Sequence, residues 1–158
     1  MRKHNSIIAR LNPADVQELT LMEPNSQVTT IRFIDGERRL GFGLGQMITQ
    51  LLARGIYPSE SAIDLAILAA TATAADTRIS RKWGSQDSWT REIDLYVPVA
   101  EPSSWFENTN LIERILAFLT GDRWRIFFRA RQGGLATIIN RPSDHIHVDF
   151  NSVCLFSG

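Results

Sequence analysis

Apolar and polar residues alternate along three stretches of the chain, as they do in strands that bury one face. Gln27 to Ile34 is rich in β-branched residues, and Asp35-Gly36 follows it as a hairpin signal, with Arg38 to Leu44 as the expected return strand. Trp89 to Val99 has Ile93, Leu95, Val97 and Val99 on one face, and Asp122 to Arg131 alternates strictly. We therefore predict strands over these segments.

The charged faces of the last two segments are complementary. Glu92 and Asp94 lie on one face of the first segment, and Arg125 and Arg129 lie on one face of the second. Opposite charges on neighbouring strands stabilise cross-strand pairs. We therefore predict that the two strands are neighbours and that Arg125 or Arg129 faces Glu92 or Asp94.

Helical spacing or capping signals mark four further segments. Asn12 to Met22 begins with an N-cap residue followed by proline, and Gln46 to Arg54 has apolar residues at helical spacing. Ser61 to Ala75 is apolar nearly all round, which predicts a buried central helix. A helix after Ser104 should end at Gly121, and its apolar stripe consists of Leu111, Ile112, Ile115, Leu116 and Leu119.

The order of these elements decides the predicted fold class. Helices and hairpin-like strands follow one another without a regular strand–helix–strand rhythm, so we predict an α+β fold. Its sheet is expected to be mixed or antiparallel, with three to four packed helices. We expect an N-terminal accessory domain over residues 1–145, and the first strand of a second domain over residues 146–158.

Composition and charge exclude several classes of protein. The chain has 17 basic and 17 acidic residues and therefore no formal net charge, so no global field draws it to nucleic acid or to a membrane. Its one cysteine, Cys154, forms neither a disulfide framework nor a zinc site, and we expect no metal site. No secretory leader is evident, and the apolar run from Ala62 to Ala75 is too short to span a bilayer. We expect a cytoplasmic protein.

One short segment concentrates side chains that recognise partners or ligands. Within sixteen residues it contains Asp76, Arg78, Arg81, Trp83, Asp87, Trp89 and Arg91. Such a segment can hold a carboxylate, a phosphate or a protein partner. It can equally be a hydrogen-bonded connection in which arginine stacks on tryptophan. The sequence leaves both interpretations open.

Several motifs in the second half of the chain resemble one family. They are DTRISR at 76–81, DSWTREI at 87–93, VPV at 97–99, FLTGDRWR at 118–125 and VCLFSG at 153–158. The last is an apolar strand that runs into Ser157-Gly158, as in the phosphate-binding loop of PP-loop ATP pyrophosphatases. Together they resemble the region ahead of that loop in the QatC family, the QueC-like (7-cyano-7-deazaguanine synthase-like) proteins of Qat anti-phage defence systems.

The resemblance implies a function for a longer parent protein. QueC-like chemistry uses ATP to activate a deazaguanine carboxylate and passes it to an amine, so the parent is expected to be an ATP-dependent ligase or synthase. QueC enzymes also carry zinc-binding cysteines, and this sequence has no such cluster. Only Ser157 and Gly158 match the ATP loop. The chain itself is then expected to lack activity and to neither bind nor hydrolyse ATP, which calorimetry would check.

Within such a parent, the chain would dock a protein partner from the same operon, similar to QatB, or position the acceptor. The residues expected at the partner surface or beside the active site are Asp76, Arg78, Arg81, Trp83, Asp87, Trp89 and Arg91. The alternative is a nucleic-acid-binding module that uses the Arg and aromatic residues of 123–131, with Arg125, Arg129 and Arg131 on one face. The zero net charge disfavours this alternative.

Overall fold

A four-stranded, wholly parallel sheet organises the part of the chain that the structure describes, residues 3–11, 14–35, 38–39 and 44–132 of a computed structural model. The strand order is β2-β1-β5-β6. In chain order the elements are β1 (Asn5–Arg10), β2 (Gln27–Arg32), β3 (Ile34–Asp35), β4 (Arg38–Arg39), α1 (Leu44–Ala53), α2 (Glu60–Arg78), α3 (Arg81–Gly84), β5 (Glu92–Val99), α4 (Pro102–Phe106), α5 (Thr109–Thr120) and β6 (Arg123–Ala130).

The prediction of an α+β fold with a mixed or antiparallel sheet is wrong. The described part of the chain has an α/β fold with a parallel four-stranded sheet and five helices rather than three or four. Parallel neighbours need a long crossover connection, and helices α4 and α5 supply it between β5 and β6. The antiparallel pairing in the described residues is confined to the two-residue strands β3 and β4, at the predicted hairpin signal, and to an isolated bridge between Ser85 and Arg91.

The predicted neighbourhood of the two alternating strands is confirmed. Strands β5 and β6 pair along their whole length, with Glu92 opposite Arg123 and Asp94 opposite Arg125. Arg125 Nε donates to Asp94 Oδ1 at 2.7 Å and Nη2 donates to Asp94 Oδ2 at 2.8 Å. These hydrogen bonds, offset in part by burial, raise the pKa of Arg125.

One face of the sheet forms the hydrophobic core. On β6 the inward side chains are Trp124, Ile126 and Phe128, which lie opposite Ile93, Leu95 and Val97 of β5. Helix α2 packs on β5 and β1, and α4 and α5 pack on β6. The ring of Trp105 in α4 lies 5.4 Å from that of Phe128. Helices α1 and α2 supply buried residues to one continuous core, and α4 and α5 pack partly buried residues against it.

The opposite face of the sheet is polar and is covered by an irregular segment, residues 14–26, which we call the strap. Its backbone N–H at Met22 donates to the hydroxyl of Tyr96 at 2.8 Å, and Ser26 and Ser6 share a hydrogen bond of 2.6 Å. Asp15 and Glu23 of the strap pair with arginines of β6. The helix predicted from Asn12 to Met22 is wrong, because these polar contacts fix residues 14–22 in a nonhelical conformation.

The remaining helices begin and end close to their predicted positions. Helix α1 covers the predicted Gln46 to Arg54 region. Helix α2 is capped by Ser59, whose hydroxyl accepts from the N–H of Ala62, rather than by Ser61. Helix α5 ends at Gly121 as predicted, where φ of 74° requires the left-handed conformation that glycine adopts readily. The segment around Ser104 forms the separate short helix α4.

Two other predictions concern the domain boundary and membrane-spanning helices. The proposed domain boundary at residue 145 lies outside the described residues. Among the helices that the structure describes, none is both long and apolar enough to cross a membrane.

Candidate functional site

A fully buried arginine anchors the segment that the sequence marks as a candidate site. Arg91 precedes β5 and has 1% of its surface exposed. Its Nε and Nη2 donate to Asp122 Oδ2 at 3.1 and 2.5 Å, and Nη2 also pairs with the carboxylate of Asp76. Its Nη1 donates to the carbonyl oxygens of Asp76 and Ile79 at 2.8 Å each. All five side-chain donors of Arg91 therefore have acceptors.

A second arginine completes what we call the arginine–aspartate cluster (Asp76, Arg81, Arg91 and Asp122). Arg81 Nη1 and Nη2 donate to the two carboxylate oxygens of Asp122 at 2.9 and 3.2 Å, a bidentate pair. The same guanidinium donates to the carbonyl oxygens of Trp89 and Thr120, both at 2.9 Å. Arg81 thus joins α3, the approach to β5 and the end of α5.

The electrostatics of the Arg91–Asp122 pair favour its ionised form. Burial alone would raise the pKa of Asp122, but hydrogen bonds from the side chain and N–H of Arg91 outweigh it and lower that pKa. Burial likewise opposes the charge on Arg91, while the hydrogen bonds that it donates to Asp122 and Asp76 raise its pKa. The Arg91–Asp122 pair is therefore charged at neutral pH, and the guanidinium groups of the cluster are directed at protein carboxylates rather than at an open cleft.

Two tryptophans of the same segment lie on the surface. Trp83 of α3 is 72% exposed and Trp89 is 68% exposed. The ammonium group of Lys82 lies 5.0 Å from the centre of the Trp83 ring, and the Arg81 guanidinium lies 5.8 Å from that of Trp89. We call residues 76–91 the tryptophan segment. The indole rings of this segment face solvent, while Arg81 and Arg91 fix its backbone through hydrogen bonds to Asp122.

The turn before Trp89 is fixed by a side chain. Asp87 Oδ1 accepts from the backbone N–H groups of Trp89 and Thr90 at 2.9 and 2.7 Å. These hydrogen bonds lower the pKa of Asp87. Between them, Ser88 adopts φ of 65°, a left-handed conformation that is rare for a residue other than glycine. The position of Trp89 is therefore set by a local hydrogen-bonded turn.

The structure brings together only some of the predicted site residues. Asp76, Arg81 and Arg91 meet in the cluster, whereas Asp87 belongs to the turn and Arg78 lies exposed in the last turn of α2. Ser157 and Gly158 lie outside the described residues. Asp122, which both arginines contact, was not among the predicted site residues. The sequence feature that could have indicated Asp122 is its position directly after Gly121, the residue that ends α5.

The arginines of the proposed nucleic-acid face are engaged within the protein. Arg125 pairs with Asp94 and with Glu23 of the strap, the latter at 3.2 Å. Arg129 contacts Asp15 at 2.5 Å, and Arg131 Nε donates to Asp64 at 3.0 Å. The aromatic residue of this face, Phe127, stacks on Tyr96 with ring centres 4.9 Å apart. Arg125 and Arg129 therefore belong to an internal ionic layer beneath the strap, whereas Arg131 pairs with α2, the helix that packs on the other face of the sheet.

A small cavity beside this layer is also lined by charges. Its volume is about 250 Å³, and its walls include His4, Glu92 and the pair Asp94–Arg125. His4 contacts the carboxylates of Glu92 and Asp94 at 3.3 and 3.1 Å. Across the described ranges, no group of three or more histidine, cysteine, aspartate or glutamate side chains is arranged to hold a metal ion.

Comparisons with known proteins do not assign the chain to a family. No family model, no curated protein and no solved structure matches it.

We predict that the cluster stabilises the fold mainly through Arg91. Arg91→Met leaves the buried carboxylate of Asp122 with the more exposed Arg81 alone, and breaking a buried pair costs about 3–5 kcal/mol. Arg81→Met should cost about 1 kcal/mol, because its guanidinium is partly exposed. Urea unfolding monitored by circular dichroism measures both. The control Arg32→Met, at an exposed position, should stay within about 0.5 kcal/mol of wild type. Equal losses for Arg91→Met and Arg32→Met would contradict this prediction.

The carboxylate of Asp122 should make the free energy of unfolding depend on pH. Because folding lowers the pKa of Asp122, its contribution is fully present above its ordinary pKa, about 4, and is lost as pH falls through the lower value of the folded state. As the pH drops below about 4, the free energy of unfolding should therefore fall more steeply for wild type than for Asp122→Asn. Parallel pH profiles for the two proteins would show that Asp122 contributes no such dependence.

The left-handed turn supplies an independent stability prediction. Ser88→Gly should raise the free energy of unfolding by about 0.5–1 kcal/mol, because glycine adopts this conformation without the side-chain clash. Ser61→Gly, at an exposed position within α2, is the matched control and should lower it by about 0.5 kcal/mol. Thermal or urea unfolding distinguishes them, and a destabilised Ser88→Gly protein would exclude strain at this turn.

Proposed function

We propose that this chain is a protein-docking domain and that the tryptophan segment is its contact surface. The observation that carries the proposal is the exposure of Trp83 and Trp89 on one short, anchored segment. Tryptophan is among the residue types that contribute most to binding energy at protein interfaces. Large indole rings in water are costly for a monomer, and a partner that covers them removes that cost.

The anchoring of the segment supports docking over ligand capture. The five donors of Arg91 are occupied by protein acceptors, and Arg81 is held by Asp122 and two carbonyl oxygens. Neither side chain is then available to grip a phosphate. Their effect is to fix the backbone from which the indole rings project, and a surface ordered in advance loses less entropy on binding.

We further propose the setting in which this docking occurs, and its support is the family resemblance. The tryptophan segment lies in the region where the motifs resemble QatC proteins most densely. The domain would then precede an ATP-using PP-loop domain of a cytoplasmic anti-phage protein. That parent would activate a deazaguanine-type carboxylate, and the docked protein, similar to QatB and from the same operon, would work with it.

Surface variants test the docking proposal without disturbing the fold. Trp89→Ala and Trp83→Ala remove exposed rings and should each weaken binding of the purified QatB-like partner about tenfold or more in calorimetry. Met22→Ala, an exposed change on the strap, should bind like wild type. Arg91 is left intact in this experiment, because its removal would unfold the segment. Wild-type affinity in a folded Trp83→Ala/Trp89→Ala double variant would refute the proposal.

The same double variant separates an interface from a position beside the active site. If Trp83 and Trp89 form the interface, partner binding and phage protection by the parent protein are lost together. Loss of protection with full partner binding would instead assign the segment to the parent's active site.

A further inference from the structure

Helix α5 carries apolar side chains on two adjoining faces, and only one of them packs against the core. Ile112 and Leu116 pack against the core. On the outward face, the four large apolar side chains are between 48% and 89% exposed; they are Leu111, Ile115, Phe118 and Leu119. Their spacing of four, seven and eight residues from Leu111 places them on one continuous stripe. We call this stripe the outer face of α5.

The outer face adjoins the tryptophan segment. Trp89 lies against the end of the helix, because a Cβ atom placed on Gly121 would come within 3.9 Å of its indole nitrogen. Arg81, beneath the Trp89 ring, donates to the carbonyl of Thr120 in the last turn. With Trp89 included, the exposed apolar surface is on the order of 600 Å², which approaches the roughly 800 Å² that each partner contributes to a standard interface.

Positive charge borders this stripe on the side that faces β6. Arg114 is exposed on that flank, and Arg123, which is 72% exposed at the start of the strand, pairs with Glu92 at 3.3 Å. They line a groove of about 400 Å³ between α5 and the outer edge of β6. The neighbouring acid, Glu113, is engaged, because it accepts from the N–H of Ile126 at 2.8 Å. Arg114 therefore favours acidic side chains on whatever covers the helix.

This charge distinguishes between two kinds of occupant. A second copy of the chain, packed antiparallel about Ile115, would bring Arg114 within a turn of its own equivalent and place like charges together. A different chain can place glutamate or aspartate there. The stripe itself has the spacing of helix-against-helix contacts.

We propose that the outer face of α5 docks an amphipathic helix of a protein partner, with an apolar stripe along α5 and acidic residues beside Arg114. The proposal deepens the docking function proposed above, since Trp89 would lie at one end of the same surface. It assigns the partner's binding element by chemistry: leucine-type side chains in one row and carboxylates in the adjacent row.

Two helical peptides of 18 residues test this directly on the full chain. One has leucine along one stripe and glutamate along the adjacent flank, and the other has lysine in place of each glutamate. In fluorescence anisotropy the acidic peptide should bind about tenfold more tightly than the basic one. Arg114→Glu should abolish or reverse this preference, whereas Arg54→Glu, an exposed change near the end of α1, should preserve it. Equal binding of both peptides, or binding of neither, would overturn the proposal.

Apolar variants and the partner protein provide the second arm. Leu119→Ala and Phe118→Ala leave the core intact and should each weaken binding of the acidic peptide and of the QatB-like partner about tenfold. A partner that binds wild type and both variants equally would overturn the helix-docking proposal and leave the tryptophan interface standing. Failure of the partner to bind at all would count against the proposed function, while the peptide pair still decides the proposal about α5. Dimerisation through α5 in sedimentation experiments would assign the surface to a second copy and overturn it.

Discussion

The buried contact between Arg91 and Asp122 joins the start of β5 to the connection between α5 and β6, the elements that carry the proposed docking surface. Asp122 lies between the end of α5 and the start of β6, and Arg91 lies directly before β5. The parallel register begins one residue later, with Glu92 opposite Arg123. Because a parallel crossover must return the chain to the end of the sheet where it began, this pair fixes the point of return. Asp76 connects the same point to α2.

Much of the local structure could be predicted from the sequence, but the direction of the strands could not. Alternation identified β5 and β6, and the matched charges of Asp94 and Arg125 identified them as neighbours. Alternation is the same for parallel and antiparallel strands, so it carries no information on direction. Parallel strands are usually apolar on both faces. Here one face is ionic, because the strap and paired charges cover it in place of a second layer of helices.

The candidate site was found by composition, and its geometry was not. Residues 76–91 stood out because they concentrate arginine and tryptophan. Arg91 is the buried arginine because it contacts Asp122, which lies 31 positions further along the chain. A local sequence pattern cannot predict a contact over that separation. The apolar stripe of α5 shows a related limit. Helical spacing grouped five residues, yet Ile112 and Leu116 face the core while the other three face outward. Spacing reveals that a helix is apolar but not which neighbour covers each side.

The arginine–aspartate cluster adds little net stability for the number of charges it buries. The cost of desolvating two arginines and an aspartate opposes their mutual attraction. Apolar residues of similar volume could hold the same elements together as firmly. They would not specify one arrangement of Asp76, Arg81, Arg91 and Asp122, because apolar contacts lack the directions that hydrogen bonds impose. Arg81 shows what direction adds: one guanidinium contacts the approach to β5 and the end of α5, and lies beneath Trp89. The charged cluster thus sets where the indole ring and the outer face of α5 lie relative to each other, which is the property that a docking surface requires.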